Sequence, residues 1–329
     1  MSARLRYGAI AVALALLITL PLWVGNSYYI NIASQILLFA VFALSLNVLV
    51  GYGGLVSLGH AGLFAVAGYS SALLLQAGFD HLVADSAAIL ITLAASAVFA
   101  ALALRSTGIG FLMITLALGQ IVWGVAYRWA SLTNGDNGVP VSTRPAPFGI
   151  SLASAPSFYF ATLLVFLLAI LTMAVFVRSP FGASVRGTRD QARRMTALGY
   201  NVWLIRFVAI VFSGFWTGVS GLLFIYYNKF ISPQVAALTS SAEVLLMVIS
   251  GGTATLFGPI VGAAIVVIMK NVVSAYIERW NLVLGVIFVV IITFMPEGLV
   301  PGSVRLARWL WQATRSGATA ARPSEELKP

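Results

Sequence analysis

The sequence contains no cysteine, and charged residues make up only 9% of its 329 positions. Without cysteine the chain has no disulfide, no thiolate nucleophile and no cysteine-ligated metal site. Its two histidines, His60 and His81, are too few and too far apart in sequence to indicate a histidine metal centre. No Walker A, G-x-S-x-G or H-E-x-x-H sequence occurs, so we predict no catalytic and no metal-binding residues.

Hydrophobic residues take the place of the missing charge. They make up 60% of the chain, and the mean hydropathy is +0.98. A soluble domain of this size needs more polar surface, and the alternating strands of a membrane barrel give a weaker hydropathy signal. We therefore predict an all-α, polytopic transmembrane helical bundle. The net charge of +10 does not indicate a nucleic-acid partner, because the basic residues lie mostly at segment ends.

Ten segments are long and apolar enough to span a bilayer, for which about 20 residues are needed. The first follows Arg4 and Arg6, as in a signal peptide, but no small-x-small cleavage site precedes Tyr28, so we expect a spanning helix. Glycines interrupt the eighth segment, where a re-entrant loop is the alternative. The segments cover residues 7–24, 29–50, 58–77, 86–104, 109–129, 156–177, 203–227, 240–257, 260–276 and 281–296.

The distribution of basic residues predicts the orientation. With the N-terminus inside, 14 of the 19 Lys and Arg lie on the inner side, four lie on the outer side, and Lys270 lies within a span. The positive-inside rule therefore predicts that both termini are cytoplasmic. We predict a membrane domain over residues 1–302, with an inner loop at 178–202 and an irregular, Gly- and Pro-rich outer loop at 131–155. A cytoplasmic tail, 303–329, begins with a candidate interfacial helix.

The inner loop, RSPFGASVRGTRDQARRMTALGYNV, is the one long charged insertion between apolar segments. Its apolar residues recur at gaps of three, four or seven, which predicts an amphipathic helix. Ser179 and Pro180 suit the start of this helix. We expect it to dock onto a partner or, alternatively, to lie on anionic headgroups. The residues of this candidate docking loop are Phe181, Val185, Arg186, Arg189, Asp190, Arg193, Met195, Leu198 and, as the helix stop, Gly199, with Phe181, Val185, Met195 and Leu198 as the buried face.

Two stretches are rich in glycine: residues 47–69, NVLVGYGGLVSLGHAGLFAVAGY, and residues 250–262, SGGTATLFGPIVG. Glycines let helix backbones approach closely and let a helix break. Groups freed by a break are tolerated at membrane depth only where protein or a water-filled cavity receives them. Tight packing alone is the alternative explanation. The glycines that we assign to helix breaks or packing are Gly51, Gly53, Gly54, Gly59, Gly251, Gly252 and Gly258.

Five polar residues in or beside the predicted spans are candidates for a solute path: Asn47, Ser57, His60, Glu243 and Lys270. The first three could instead hydrogen-bond main-chain groups that a helix break frees. Ionisable groups within membranes usually face the protein interior or pair with each other. Glu243 and Lys270 differ in predicted depth by about 5 Å at 1.5 Å per residue, a gap that long side chains could close. Alternatively, Lys270 snorkels and Glu243 is wet at the interface, and His60 is tied to a neighbouring carbonyl.

The order of these motifs resembles that in the M-type permease subunits of branched-chain amino acid ABC importers, which are related to urea and amide permeases. The resemblance covers roughly residues 35–302 and depends on LNVLVGYGGLVSLGHAGLFAVAGY, SLTNGDNGVP, the inner loop, FISPQVAALTSSAEVLLMVISGGTATLFGPIVGA and FMPEGLVPG. Within the fourth motif, SGGTATLFGP stands where the family more often shows GGLGSLWGP.

The resemblance implies a multi-pass transport subunit of the bacterial inner membrane rather than an enzyme. It implies inward movement of branched-chain amino acids by ATP-driven alternating access. The implied partners are an H-type permease, two cytoplasmic ATPases that bind ATP and Mg, a periplasmic substrate-binding protein and the lipid bilayer. This chain itself is expected to bind no cofactor. The inner loop would be the helix that sits in an ATPase groove. An importer for urea or short-chain amides is one alternative, and a self-contained channel or secondary transporter is another.

Overall fold

The computed structural model describes residues 12, 15–141, 144–146, 151–276, 280–295, 297–303 and 305. Residues 15–23 and 299–303 are helical, and eleven further α-helices lie between them within the described ranges. They are α1 (Ser27–Asn47), α2 (His60–Gln76), α3 (His81–Ala103), α4 (Ile109–Arg128), α5 (Ala130–Thr133), α6 (Ala155–Arg178), α7 (Pro180–Ala197), α8 (Val202–Asn228), α9 (Leu238–Gly251), α10 (Gly258–Val272) and α11 (Trp280–Phe294).

Four of the long apolar helices begin at polar caps that the sequence supplies. Asn26 accepts a hydrogen bond from the Tyr28 N–H at the start of α1, and Asp80 and Asn201 cap α3 and α8 in the same way. Ser154 caps α6. These side-chain oxygens satisfy N–H groups that have no partner within the helix. Polar residues at the segment ends thus help to fix where α1, α3, α6 and α8 start.

The all-α membrane fold is confirmed. Within the described residues, five helical segments are long and apolar enough to cross a membrane: Ser27–Gly53, which is α1 with the turn that follows it, and helices α3, α4, α6 and α8. Helices α9 and α10 are apolar but shorter. Helix α2 has 17 residues, eleven of them buried. The count of ten spans and the cytoplasmic position of the termini stay predictions.

Helix α1 lies at the centre of the bundle. In its most apolar stretch 83% of the residues are buried, against 33% in α3 and 22% in α4. It packs against α6, α8, α9 and α10, while α2 joins α3 and α8 on the other side. Helix α4 therefore lies at the periphery, with an apolar surface suited to lipid.

The predicted outer loop is more ordered than its composition indicated. It contains the short helix α5, a 3₁₀ turn at Gly135–Asn137 and strand β1 (Val139–Pro140). Strand β1 pairs antiparallel with β2 (Phe230–Ile231), which follows α8. The prediction of an irregular loop was wrong for these residues, because pairing with a distant segment supplies order that local sequence does not encode. The predicted interfacial helix at 304–311 lies outside the described residues, apart from residue 305.

Candidate functional site

The first glycine-rich stretch breaks the central helix, as predicted. Helix α1 runs into a π-helical turn at Val48–Gly53, and Gly54 ends this turn with φ +66°. Residues 55–58 are non-helical, and Gly59 precedes the first residue of α2. The Leu55 N–H donates to the Leu49 carbonyl at 2.9 Å. Single π-helical turns are rare and often occur at functional sites.

The second glycine-rich stretch breaks as well. Helix α9 ends at Gly251, Gly252 has φ +119°, and α10 begins at Gly258. The predicted helical segment 240–257 is therefore wrong over residues 252–257. The reason is local, because Gly252 adopts a backbone conformation that an L-residue rarely reaches. Residues 252–257 form a second non-helical loop at the end of the bundle that we predicted to face inward.

Asn47 holds the two broken stretches together. Its Nδ2 donates to the Thr255 carbonyl at 2.8 Å, and its Oδ1 accepts from the Ala254 N–H at 3.1 Å. Gly51 lies directly against the same loop, since a Cβ at position 51 would overlap the Ala254 nitrogen. Of the two partners that the sequence allowed for Asn47, a solute or main chain freed by a helix break, the structure shows the second.

His60 and Ser57 form part of a buried hydrogen-bonded chain. The His60 Nδ1 lies 2.9 Å from the Ser57 Oγ, and its Nε2 lies 2.9 Å from the Ser213 Oγ. Ser213 in turn donates to the Ser45 carbonyl at 2.6 Å. His60 is therefore tied to neighbours, as the alternative reading expected, but its partners are hydroxyls and not a carbonyl. Buried polar groups of this kind fix helix packing.

The predicted docking helix exists as α7. Ser179 accepts from the Gly182 N–H, Pro180 is the first residue, and Gly199 follows the end with φ +87°, so both helix signals are confirmed. The helix is not continuous, however. Gln191 has φ −150° and ψ 81°, and beyond it the chain folds back so that Met195 packs on Gly187.

The break in α7 changes which residues form its buried face. Val185 is 1% exposed and packs in a cluster with Leu49 and Tyr52 of the first broken stretch. Phe181 is partly buried beside Phe176, with the two ring centroids 5.4 Å apart. The prediction that Leu198 shares this face was wrong, since its side chain is 67% exposed. The change of direction at position 191 removes the single face that a straight helix would have.

Arginines join α7 to its neighbours through main-chain carbonyls. The Arg189 Nη1 donates to the Gly51 carbonyl at 2.7 Å, while its Nε pairs with Asp190 at 2.9 Å. Arg186 donates to the α6 carbonyl of residue 177 at 3.1 Å, and Arg206 of α8 donates to the carbonyl of residue 188 at 2.9 Å. Arg193 lies exposed on α7. Helix α7 is thus attached to the first glycine-rich turn and to two spanning helices.

Glu243 and Lys270 form the predicted ion pair. The Lys270 Nζ lies 3.3 Å from the Glu243 Oε2, across helices α10 and α9. The pair borders a cavity of about 180 Å³ whose remaining lining is mainly apolar and includes four phenylalanines. Asn47, Ser57 and His60 are not among the residues that line this cavity. Of the five candidate path residues, Glu243 and Lys270 thus line this cavity. The other three, Asn47, Ser57 and His60, hydrogen-bond to groups of the protein itself.

A half-buried carboxylate that the sequence analysis did not select lies between α2, α3 and α8. The Oδ1 of Asp85 accepts from the Ser71 hydroxyl and from the Tyr226 hydroxyl, both at 2.7 Å. The Nδ1 of His81 lies 3.2 Å from the Tyr226 oxygen. The available sequence signal was the position of Asp85 directly before the apolar segment 86–104. A carboxylate placed there needs hydrogen-bond donors from neighbouring helices.

Arg144 fixes the described part of the predicted outer loop, residues 131–155. Its guanidinium donates to the carbonyls of Tyr226, Tyr227, Leu152 and Ala153 at 2.8–3.4 Å and lies 4.5 Å from the Phe158 ring centroid. Burial lowers the pKa of this guanidinium from its ordinary value, yet an arginine remains cationic near neutral pH. Within the described residues, no three His, Cys, Asp or Glu come together as metal ligands.

The comparisons with known proteins identify the family. The model described as the permease component of the branched-chain amino acid transport system matches residues 28–293. The chain belongs to this permease family. Its match includes both glycine-rich stretches, α7, the ion pair and strands β1 and β2, so the geometry described above lies within the family's common region.

Individual relatives agree with this assignment. The chain is 27% identical, over 296 residues, to the high-affinity branched-chain amino acid transport system permease protein LivM of Salmonella typhimurium. Identity is the same to LivM of Escherichia coli K12, and each alignment covers 83% of this chain and 70% of the relative. A solved structure, PsaBC from Streptococcus pneumoniae with a Fab, is 16% identical, with a TM-score of 0.35 over 77% of this chain and 93% of that one. That likeness is too low to carry an argument.

Proposed function

We propose that this chain is the membrane-embedded permease subunit of a binding-protein-dependent ABC importer. It moves branched-chain or related hydrophobic amino acids inward by ATP-driven alternating access. Membership of the permease family and five helices suited to crossing a membrane support this role. The chain is a transport component and not an enzyme, and it lies in the bacterial inner membrane as a multi-pass protein.

In this proposal ten spans place both termini and the loop at 178–202 in the cytoplasm. The loop at 131–155 then faces the periplasm, where an external binding protein docks and delivers solute. An H-type permease completes the pathway. Two cytoplasmic ATPases bind ATP and Mg, since this chain carries no nucleotide motif. ATP can shift the transporter between its outward-open and inward-open states only by binding one state more tightly than the other.

One observation carries the proposal: α7 is connected to the centre of the bundle. Arg189 binds the carbonyl of Gly51, and Gly51 packs against the loop that Asn47 clamps through Thr255. Movement of α7 by an ATPase would therefore be passed to the first helix break through Arg189. It would be passed on to the second break through the contacts of Gly51 and Asn47 with the loop at 252–257. A helix that merely lay on lipid headgroups would need no such connection.

Uptake in proteoliposomes tests the proposal. The full set of subunits with the binding protein should take up leucine only when ATP and Mg are supplied on the ATPase side. Uptake by this chain alone, without ATPases, would contradict it and favour a self-contained channel or secondary transporter. Urea or short-chain amide uptake in place of leucine uptake would favour the second importer alternative.

Docking through α7 is tested separately by co-purification with the ATPases. Because Arg189 also holds the bundle, the exposed pair Arg193 and Arg194 is the better target. Changing both to glutamate should remove the ATPases from the purified complex through charge repulsion. Arg105→Glu, on a different predicted inner loop, is the matched control and should retain them. Equal retention in the double variant and the control would refute docking at this surface.

A further inference from the structure

We propose that the cavity beside Glu243 and Lys270 is a binding site for a zwitterionic α-amino acid with an apolar side chain. This inference rests on the importer function proposed above and gives that function a ligand site. The cavity has a volume of about 180 Å³. An engineered apolar cavity of about 150 Å³ accepts benzene, so the space suits a small solute. It lies between α1, α2, α8, α9 and α10, which includes the buried central helix.

The wall of the cavity is a continuous row of four aromatic rings. Phe42 and Phe64 stack at 4.5 Å between centroids, and Phe224 meets Phe64 edge-on at 5.2 Å. Phe39 meets Phe224 edge-on at 6.2 Å. All four line the cavity. Such a wall gains free energy from an aliphatic side chain by removing its surface from water, and gains nothing comparable from urea.

The ion pair supplies both charges that an α-amino acid requires. Lys270 presents an ammonium to a solute carboxylate, and Glu243 presents a carboxylate to a solute ammonium. Their side chains are 41% and 21% exposed, so neither is sealed within the chain. Gln234 and Ser240 border the same cavity and add uncharged polar groups.

Charge balance selects a zwitterion over singly charged solutes. The pair and a zwitterion together carry no net charge, and each charged group finds an opposite partner. A lone cation or a lone anion would leave one side chain of the pair without a partner, which is unfavourable away from bulk water. Aromatic walls and paired charges in one cavity therefore favour leucine-like amino acids over urea and short amides.

The absence of cysteine makes a direct test possible. Ser240→Cys in the full-length chain, in lipid nanodiscs, places a single thiol in the cavity, and Ser151→Cys places one on the outer loop as a control. Leucine at about ten times its dissociation constant should slow thiol labelling of S240C about elevenfold, because only the unoccupied fraction reacts. Labelling of S151C should not change.

Three further probes identify what the site recognises. Leucinamide lacks the carboxylate, 4-methylpentanoate lacks the ammonium, and urea lacks both the charges and the side chain. Each should need at least about ten times the leucine concentration to slow labelling of S240C equally, because a site that pairs with a group rejects an analogue without it. Equal protection by all four probes, or none by leucine, overturns the proposal.

Charge variants of the same cysteine chain then reverse the preference. Glu243→Gln leaves a net positive site, which should favour 4-methylpentanoate over leucine. Lys270→Gln leaves a net negative site, which should favour leucinamide. If a charge variant weakens protection by every probe equally, the ion pair does not bind the solute. If a variant does not fold, the four probes on S240C alone still test the proposal. ATP-dependent leucine uptake without protection of S240C would sink this inference and leave the proposed function standing.

Discussion

Asn47→Ala is the substitution that best tests how the two broken helices are joined. It removes the hydrogen bonds to the Thr255 carbonyl and from the Ala254 N–H. Interhelical hydrogen bonds in a membrane protein are worth about 0.6 kcal/mol on average and up to about 1.7 kcal/mol. Two such bonds therefore predict a loss of about 1–3 kcal/mol in the free energy of unfolding. Denaturation of the purified protein in mixed micelles with SDS measures this loss.

The matched control is Asn228→Ala at the exposed end of α8. Its Nδ2 reaches the Phe224 carbonyl only at 3.4 Å, and its effect should stay within about 0.5 kcal/mol, as for most surface changes. If Asn47→Ala and Asn228→Ala destabilise the protein equally, the clamp does not hold the loops and the proposed route from α7 to the second break fails. A large loss for Asn47→Ala with unchanged ATP-driven uptake would also refute that route.

Three other substitutions test separate contacts. Gly51→Ala should prevent recovery of monodisperse protein on size-exclusion chromatography, because its Cβ overlaps the neighbouring main chain, whereas Gly53→Ala meets nothing closer than 3.5 Å and should behave as wild type. Arg144→Lys should speed proteolysis of the outer loop, since a lysine cannot reproduce the guanidinium's several hydrogen bonds; equal cleavage rates would contradict this. Ser213→Ala should lower the free energy of unfolding by about 1–3 kcal/mol, because buried His60 loses a partner; no measurable change would refute that role.

Local chemistry explains what the sequence predicted well. The start of α7 at Pro180 and its stop near Gly199 depend on capping rules that involve a few adjacent residues. The pairing of Glu243 with Lys270 follows from the cost of isolated charges inside a membrane. These predictions needed no knowledge of how distant helices pack.

Tertiary packing explains what the sequence did not predict. Glutamine is a good helix former, so nothing in its propensity marks Gln191 as a break; the packing of Met195 on Gly187 accompanies the fold-back. Asn47 was expected to bind either a solute or main chain freed by a helix break, but the sequence did not indicate that its partner would be a carbonyl 208 positions away. Such a partner is decided by the approach of two helix breaks, and single-sequence patterns carry no record of it.

The two joints made by Asn47 and Arg189 use only main-chain groups as partners. Nearly every residue type offers the same N–H and C=O groups, so the loop at 252–257 can change most of its side chains while both joints persist. The particular side chains of Thr253, Ala254 and Thr255 are therefore not what holds the two breaks together. The exceptions are Gly252, whose φ of 119° an L-residue rarely adopts, and Ala254, whose φ of 58° disfavours bulky or β-branched replacements. The joint thus fixes the path of the loop and leaves its chemistry open to divergence.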